Sequence, residues 1–600
     1  MIAVHVTHEA VEKMGGIGAV IAGLVTSPNY QQVFDRTVLV GPLFQTDRPG
    51  RERLGVGGKI MYSSLDGIDE GNWTQRFRPI EQTYQVDLIY GTRCINDGPG
   101  QKPVDVEVIL VDVFRSNRNR LNIFKGELFT KFNVPSDQFE KIWEFEQYVR
   151  LAEPGYEALH VIGCEGKPHE PLVILAHEYM GLPLALKAML DGRHKVRTVF
   201  YAHEVASVRK IVETHPGHDL MFYNVLRQAR QSGKTLEDYF PEVHSFYKHP
   251  LIKAARMCDA IFAVGDHVGH EMRFLDAGFR NIQLDMVYNG TPTSRKTLPE
   301  RLNHRRALRE YARNLFGVLP DYVFTHVARP VLSKGVWRDL RVLHDLEPLL
   351  AAEGRSAAFF MLGTLAGQRS TRDVLHMEKS YGWPAHHRLG YPDLCNGEET
   401  LGELFEQFNS QHQAVRVVLV NQFGWERRLC GLRMPEPMTF EDVRAGSDAE
   451  FGMSVYEPFG ISQLEPLCFG AICLVSNVCG CLDFARSCSG GIVPPNILES
   501  DFIQLPLEKQ DMDPMQLTTA DRDMVENAEC FRLAQELSRR LPRTQDDFAA
   551  LLESGYELGK KLDWDQVVRQ CFLPAIDRML RAEELEEEVE RTTPQMRLTG

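Results

Sequence analysis

The chain has no apolar run long enough to span a bilayer, and its first residues already read as a strand, so the expectation is neither a membrane span nor a secretory leader. It also lacks spare positive charge. There are 67 Lys and Arg against 82 Asp and Glu, a formal charge of −15, which disfavours a surface for nucleic acid. Cysteine is sparse, with 12 in 600 residues, too few for a disulfide scaffold, and with neither leader nor span expected a cytoplasmic location is the default. The first glycine-rich loop has neither G-x-G-x-x-G nor G-x-x-x-x-G-K-[ST] spacing, which argues against those two cofactor classes. No internal repeat is evident.

Six hundred residues exceed one compact core and imply at least two domains. Strand-like and helix-like stretches alternate from Ile2 to about Thr291, with candidate strands at 36–40, 104–111, 172–175, 196–201 and 260–264. From Thr293 to about Arg313 the composition turns to Arg, Asn and Glu, which suits a linker and an entering helix. A second series follows at 322–327, 357–362, 416–420 and 471–475. This pattern is α/β and predicts two doubly wound halves.

The richest segment is Y-E-P-F-G-I-S-Q-L-E from Tyr456. D-A-E-F-G-M-S-V before it is compatible with a short strand, and Leu464, Leu467 and Cys468 supply apolar spacing for a helix after it. Gly460 would let a ligand approach the backbone, and the free N–H groups at Gly460, Ile461 and Ser462 would favour a diphosphate. Glu457 would precede the helix and Glu465 would lie about two turns in. Ionised carboxylates only accept, so both suit hydroxyls of a sugar and a ribose. The plainer alternative is a capped helix with two surface glutamates.

Two further segments carry phosphate chemistry. I-A-V-H-V from Ile2 reads as a buried strand and leads to K-M-G-G-I-G, where Gly15 and Gly16 permit close backbone approach and Lys13 offers a mobile charge. After V-F-T-H-V-A from Val323 come Arg329 and Lys334, again at the end of a strand, where open α/β sheets bind ligands. A guanidinium can grip a phosphate bidentately, and an ammonium can follow the charge as a bond breaks.

Together these segments resemble the retaining glycosyltransferases of the glycogen and starch synthase kind, closest to the eukaryotic type. H-E-A-V-E-K-M-G-G-I-G-A-V from His8, V-L-V-G-P from Val38, A-H-E-Y-M-G from Ala176, T-V-F-Y-A-H-E from Thr198, F-Y-N from Phe222, V-Y-N-G from Val287 and K-L-D-W from Lys561 carry the likeness. The resemblance implies the GT-B fold, two Rossmann-like domains facing across a cleft. It implies an acceptor-side domain over 1–295, a nucleotide-sugar domain over 296–560, a closing helix over 561–585 that crosses back, and an acidic tail over 586–600. It implies glucose transfer from UDP-glucose or ADP-glucose to the non-reducing end of an α-1,4-glucan, without metal or cofactor. Arg329 and Lys334 would neutralise the leaving diphosphate, helped by Lys13, Gly15, Gly16 and Gly460. Glu457 would hold the transferred sugar and Glu465 the ribose, while His177 would face the donor sugar and His203 would stand beside it in the cleft. The Asp511–Asp513 and Asp563–Asp565 triplets do not close apolar strands, so the metal-dependent GT-A architecture is not supported. Other readings stay open: a GT-B transferase with a small glucoside or cell-surface polysaccharide as acceptor, a phosphorylase, or a silent carbohydrate-binding or scaffold relative. Homo-oligomerisation is also left open.

Cys468, Cys473, Cys479, Cys481 and Cys488 crowd one stretch without C-x-x-C pairs, so they read as core residues, with a thiol effect on activity open at Cys479–Cys481. His215 and His218 read as a turn. Trp143 and Tyr148 could line an acceptor groove, although aromatics at helical spacing are more usually core.

Overall fold

The computed structural model describes residues 1–600 except 12–14, 45–49, 97–101, 168–169, 193–194 and 593–600, and describes 51 and 583–592 by backbone alone. The chain divides into two compact units. Unit 1 comprises Met1–Ser207, Gly233–Gly290 and Trp564–Gly600, and unit 2 comprises Val208–Ser232 and Thr291–Asp563.

The division is discontinuous in two places, and each has a local cause. Residues 208–232 join unit 2 because the buried Arg338 guanidinium donates to both Asp219 oxygens at 2.8 and 2.9 Å and to Glu526 at 2.8 Å. Breaking such a buried group would cost about 3–5 kcal/mol. Residues from 564 onward join unit 1 because the Trp564 indole lies against Gly23 and Gly290, where a Cβ would come within 2.2 and 2.6 Å of it. Asp565 then accepts from Ser27 Oγ at 2.5 Å and Asn29 Nδ2 at 2.8 Å. A helix Leu573–Thr592 follows, so the expected acidic tail begins as helix, and its last eight residues lie outside the described residues.

Among the described residues unit 1 holds ten strands: β1 Ile2–Val6, β2 Arg36–Pro42, β3 Lys59–Ser63, β4 Ile68–Asp69, β5 Asp87–Ile95, β6 Val104–Asp112, β7 Leu172–His177, β8 Val196–Ala202, β9 Ala260–Ala263 and β10 Leu284–Met286. Their order is β10-β9-β8-β7-β1-β2-β6-β5-β3-β4. Pairing is parallel from β10 to β6 and antiparallel from β6 to β4. The central strands are apolar along their length, as strands covered on both faces must be. Order reverses at β1, which has β2 on one side and β7 on the other, so ligands are expected beyond the carboxyl ends of β1 and β7.

Unit 2 holds β11 Tyr322–Val327, β12 Ala357–Leu362, β13 Val415–Val420, β14 Ala449–Gly452, β15 Ile472–Ser476 and β16 Ile497–Ser500, all parallel, in the order β13-β12-β11-β14-β15-β16. Counted within the unit this is 3-2-1-4-5-6, the order of a dinucleotide-binding sheet, with its switch point between β11 and β14. Successive residues go to opposite faces. Phe324, Phe359, Met361 and Leu419 pack with helices Val336–Ala352 and Thr519–Arg540, whereas Val323, Phe360, Leu362 and Val420 pack with helix Leu298–Phe316. Each such side chain contributes about 1.5–3 kcal/mol by leaving water. The helix Leu298–Phe316 starts where sequence suggests: Thr297 and Glu300 form a reciprocal cap, and Gly317 at φ 76° ends it.

Candidate functional site

In unit 2 the switch point gathers the charged residues that the sequence singled out. Beyond β11 the chain passes Arg329, whose guanidinium is exposed and makes no ion pair among the described residues. A 3₁₀ turn, Leu332–Lys334, follows. Gly335 then takes φ 63°, and a Cβ there would meet the Met453 carbonyl at 2.7 Å, so only glycine lets this loop close onto the one beyond β14. The Ser333 carbonyl accepts from Val455 N–H at 2.8 Å and Tyr456 N–H at 3.2 Å. That pair of backbone bonds sets Lys334 beside Glu457, and the two side chains form a half-buried ion pair.

Gly460, at φ 94°, opens a helix of four residues, Ile461–Leu464, and Glu465 begins a 3₁₀ turn that ends at Gly470. Glu465 therefore lies one turn past Gly460 rather than two turns into a helix. Pro466 is the cause, because it has no N–H to donate to the Ser462 carbonyl. Arg444 donates to that carbonyl instead. The same guanidinium contacts Glu465 Oε2 at 3.0 Å and Glu450 Oε2 at 2.9 Å. Glu450 is fully buried, accepts from Val327 N–H at 3.0 Å, and is pushed up by burial against the pull of Arg444. Arg444 thus ties Glu465 to the end of β11, and sequence reading missed it.

The Cys479–Cys481 loop backs this site. Cys481 N–H donates to the Phe459 carbonyl at 2.9 Å, and Gln463 bonds Ser454 Oγ at 3.0 Å. Both thiols are buried and held protonated by that burial, so they offer no reactive thiolate, and Cys468 and Cys473 are core residues.

In unit 1 the ends of β1, β7 and β8 carry a row of neutral imidazoles. Tyr30 OH lies 3.0 Å from His5 Nε2, His5 Nδ1 lies 2.9 Å from His177 Nε2, and His177 Nδ1 lies 2.8 Å from His203 Nε2. Burial pushes His5 down to about 3 and His177 well below the ordinary value, and burial with His8 and His5 nearby takes His203 to about 3. A neutral imidazole donates from one nitrogen and accepts at the other, so one choice of proton direction fixes every tautomer in the row. His177, which the resemblance has facing the donor sugar, is the middle imidazole of the row. Its ring is fully buried and both nitrogens are engaged, leaving half-buried His203 as the outer member. Glu178, next in the chain, takes φ 60° and accepts from Glu204 N–H at 2.6 Å, which aligns the turns that carry His177 and His203.

Gly15 and Gly16 are exposed and precede helix Ile17–Thr26. A carboxylate already occupies its first turn: Glu9, 2 % exposed, accepts from Gly18 N–H at 2.9 Å. A Cβ on Gly15 would come within 3.0 Å of Glu9 Oε1. The loop therefore offers an anion less positive field than its glycines suggest. Lys13 lies outside the described residues.

Other sequence candidates fall elsewhere. Tyr148 is buried edge-on against Tyr179, whereas Trp143 is 40 % exposed and stacks on Phe114 at 5.2 Å. His215 Nδ1 accepts from Gly217 N–H at 3.0 Å and His218 bonds the Val212 carbonyl at 2.7 Å, a turn arrangement. An open cavity in unit 1, lined by Arg78, Phe114, Arg115, Arg118 and Arg150 among others, shares no residue with the imidazole row or the glycine loop.

No family model and no curated protein matches this chain. Among solved structures, it is similar to an α,α-trehalose 6-phosphate synthase from Burkholderia multivorans, with 12 % identity, 99 % of each chain covered and a TM-score of 0.48. It is also similar to the catalytic domain of starch synthase IV from Arabidopsis thaliana bound to ADP and acarbose, with 12 % identity, 94 % of this chain and 99 % of that one covered, and a TM-score of 0.46. Sucrose-phosphate synthase from Thermosynechococcus elongatus gives 10 % identity, 99 % and 100 % coverage, and a TM-score of 0.47. At these scores the similarities carry no argument about chemistry, which rests on the residues above.

Proposed function

We propose that this protein is a retaining, metal-independent glycosyltransferase of the GT-B type that moves glucose from UDP-glucose or ADP-glucose to the non-reducing end of an α-1,4-glucan in the cytoplasm. The observation that carries the reading is the convergence of Arg329, the Lys334–Glu457 pair and the Gly460 turn at the switch point of an all-parallel 3-2-1-4-5-6 sheet. The diphosphate takes Lys334 from Glu457 and is gripped by Arg329, and both cations strengthen their contacts as charge collects on the leaving group. The freed Glu457 carboxylate accepts from sugar hydroxyls. Glu465, held by Arg444, accepts from the ribose. The candidate contacts that unit 1 offers are His203, with a tautomer set by His177, His5 and Tyr30, and the Gly15–Gly16 turn. No residue serves as a covalent nucleophile; positioning and charge stabilisation carry the rate.

The test is to incubate the purified chain with UDP-glucose and, separately, ADP-glucose, each with glycogen, maltooligosaccharides or no acceptor, with and without EDTA. The reading expects nucleotide release with chain lengthening that EDTA leaves intact. Release without lengthening of any α-glucan would assign a different acceptor, and strict dependence on manganese or magnesium would contradict the metal-independent mechanism. No donor turnover or binding would favour a silent carbohydrate-binding relative.

A further inference from the structure

Unit 1 contains a second cluster of chemistry-bearing side chains that the transferase reading leaves unused. Glu237 lies in a single turn of helix, Leu236–Tyr239, His244 in the 3₁₀ turn Pro241–Ser245, and His249 in the helix Lys248–Ala254. Three short elements in succession fold back so that one ligand atom from each lies within 4.8 Å of the others. His249 Nε2 is 2.9 Å from Glu237 Oε1, and His244 Nε2 is 3.7 Å from Glu237 Oε2. Ligands of a tetrahedral zinc ion with bonds of about 2.0–2.1 Å stand roughly 3.3 Å apart, between those two spacings.

We propose that Glu237, His244 and His249 form a binding site for a borderline divalent cation, Zn²⁺ in the first instance, with its fourth position open to solvent. The donor set of two imidazoles and one carboxylate suits zinc rather than magnesium or calcium. His249 is buried, and its other ring nitrogen is 2.9 Å from Ser207 Oγ. With metal on Nε2, Nδ1–H donates to that hydroxyl, the outer-shell bond that orients a ligating histidine. His244, with 63 % of its side chain exposed, gives access from solvent. Lys253 Nζ now sits 2.5 Å from Glu237 Oε1 and 3.1 Å from Asp276. It competes for Glu237, yet Asp276 is ready to keep the ammonium when a metal displaces it.

That competition makes the test specific. The metal-stripped full chain is titrated with Co²⁺, read by the d–d absorption of a low-coordinate site, and with Zn²⁺ against a chromogenic chelator. One equivalent is expected to bind. His244→Ala, an exposed change that leaves the packing intact, is expected to abolish it, and Ser207→Ala to weaken it about 10–100-fold. Lys253→Gln is expected to tighten it, since it removes a rival cation and leaves all three ligands. Binding by the wild-type chain no stronger than by His244→Ala would overturn the proposal. So would weaker binding in Lys253→Gln, which would mark the cluster as an ion-pair network that needs its lysine.

Discussion

Beside its central strand unit 1 places a hydrogen-bonded row of neutral imidazoles, whereas unit 2 places paired and unpaired full charges at the same topological position. Both sets lie at or just beyond the carboxyl ends of parallel strands, so topology alone does not decide the chemistry. Surroundings do. The imidazoles sit against apolar strands, and burial strips them of charge. In unit 2 Glu457 is folded in with Lys334, and Glu450 and Glu465 with Arg444, while Arg329 is exposed. One unit therefore offers directed, charge-free hydrogen bonds suited to hydroxyls, and the other offers charge suited to a diphosphate.

The largest expected effect breaks the charged side of that contrast. Arg329→Ala and Lys334→Ala should each lower kcat by about 10²–10³ while changing donor KM far less, because charge on the leaving group grows in the transition state. Steady-state kinetics with both donors check this, and normal turnover in both variants would remove the assignment. Arg444→Leu comes next. It strands the buried Glu450 and releases Glu465, so a stability loss of about 3–5 kcal/mol is expected by urea unfolding.

The neutral side sharpens through pH. Histidines held below their ordinary value bind fewer protons folded than unfolded, so stability is full above about pH 6.5 and falls as pH drops toward 3. The slope is about 1.4 kcal/mol per pH unit for each such histidine. Urea midpoints at pH 7, 6 and 5 should decline accordingly, and His5→Asn should flatten the decline. Unchanged midpoints over that range would mean the row is not held neutral. The smallest effect is expected from Tyr30→Phe, which leaves His5 Nε2 without its partner at a cost of about 1 kcal/mol and removes the anchor of the row's proton direction.

Strands buried on both faces were legible as short apolar runs: 322–327 and 357–362 appear at the residues expected, and 36–40, 104–111, 172–175 and 196–201 extend by one or two. β5 was not, because its run D-L-I-Y-G-T-R-C-I mixes polar residues with a glycine that the antiparallel edge needs. A Cβ on Gly91 would come within 2.1 Å of the Lys59 carbonyl, at the bulge in β3. β10 has only three residues. At the site, Arg329, Lys334 and Glu457 were readable because each follows its strand within a few residues. Arg444 gave no signal, since its partners Glu450, Glu465 and Ser462 converge on it only after folding. His5 gave one that was passed over: a lone imidazole inside the buried strand I-A-V-H-V demands a partner, and His177 supplies it.

The division of labour is tested most directly by calorimetric titration of UDP and ADP into the wild-type chain, the Arg329→Ala/Lys334→Ala variant and His203→Ala. The account predicts saturable binding of at least one nucleotide by the wild type, its loss or marked weakening when the two cations are removed, and little change without His203. Equal affinity in all three proteins, or a loss confined to His203→Ala, would contradict it.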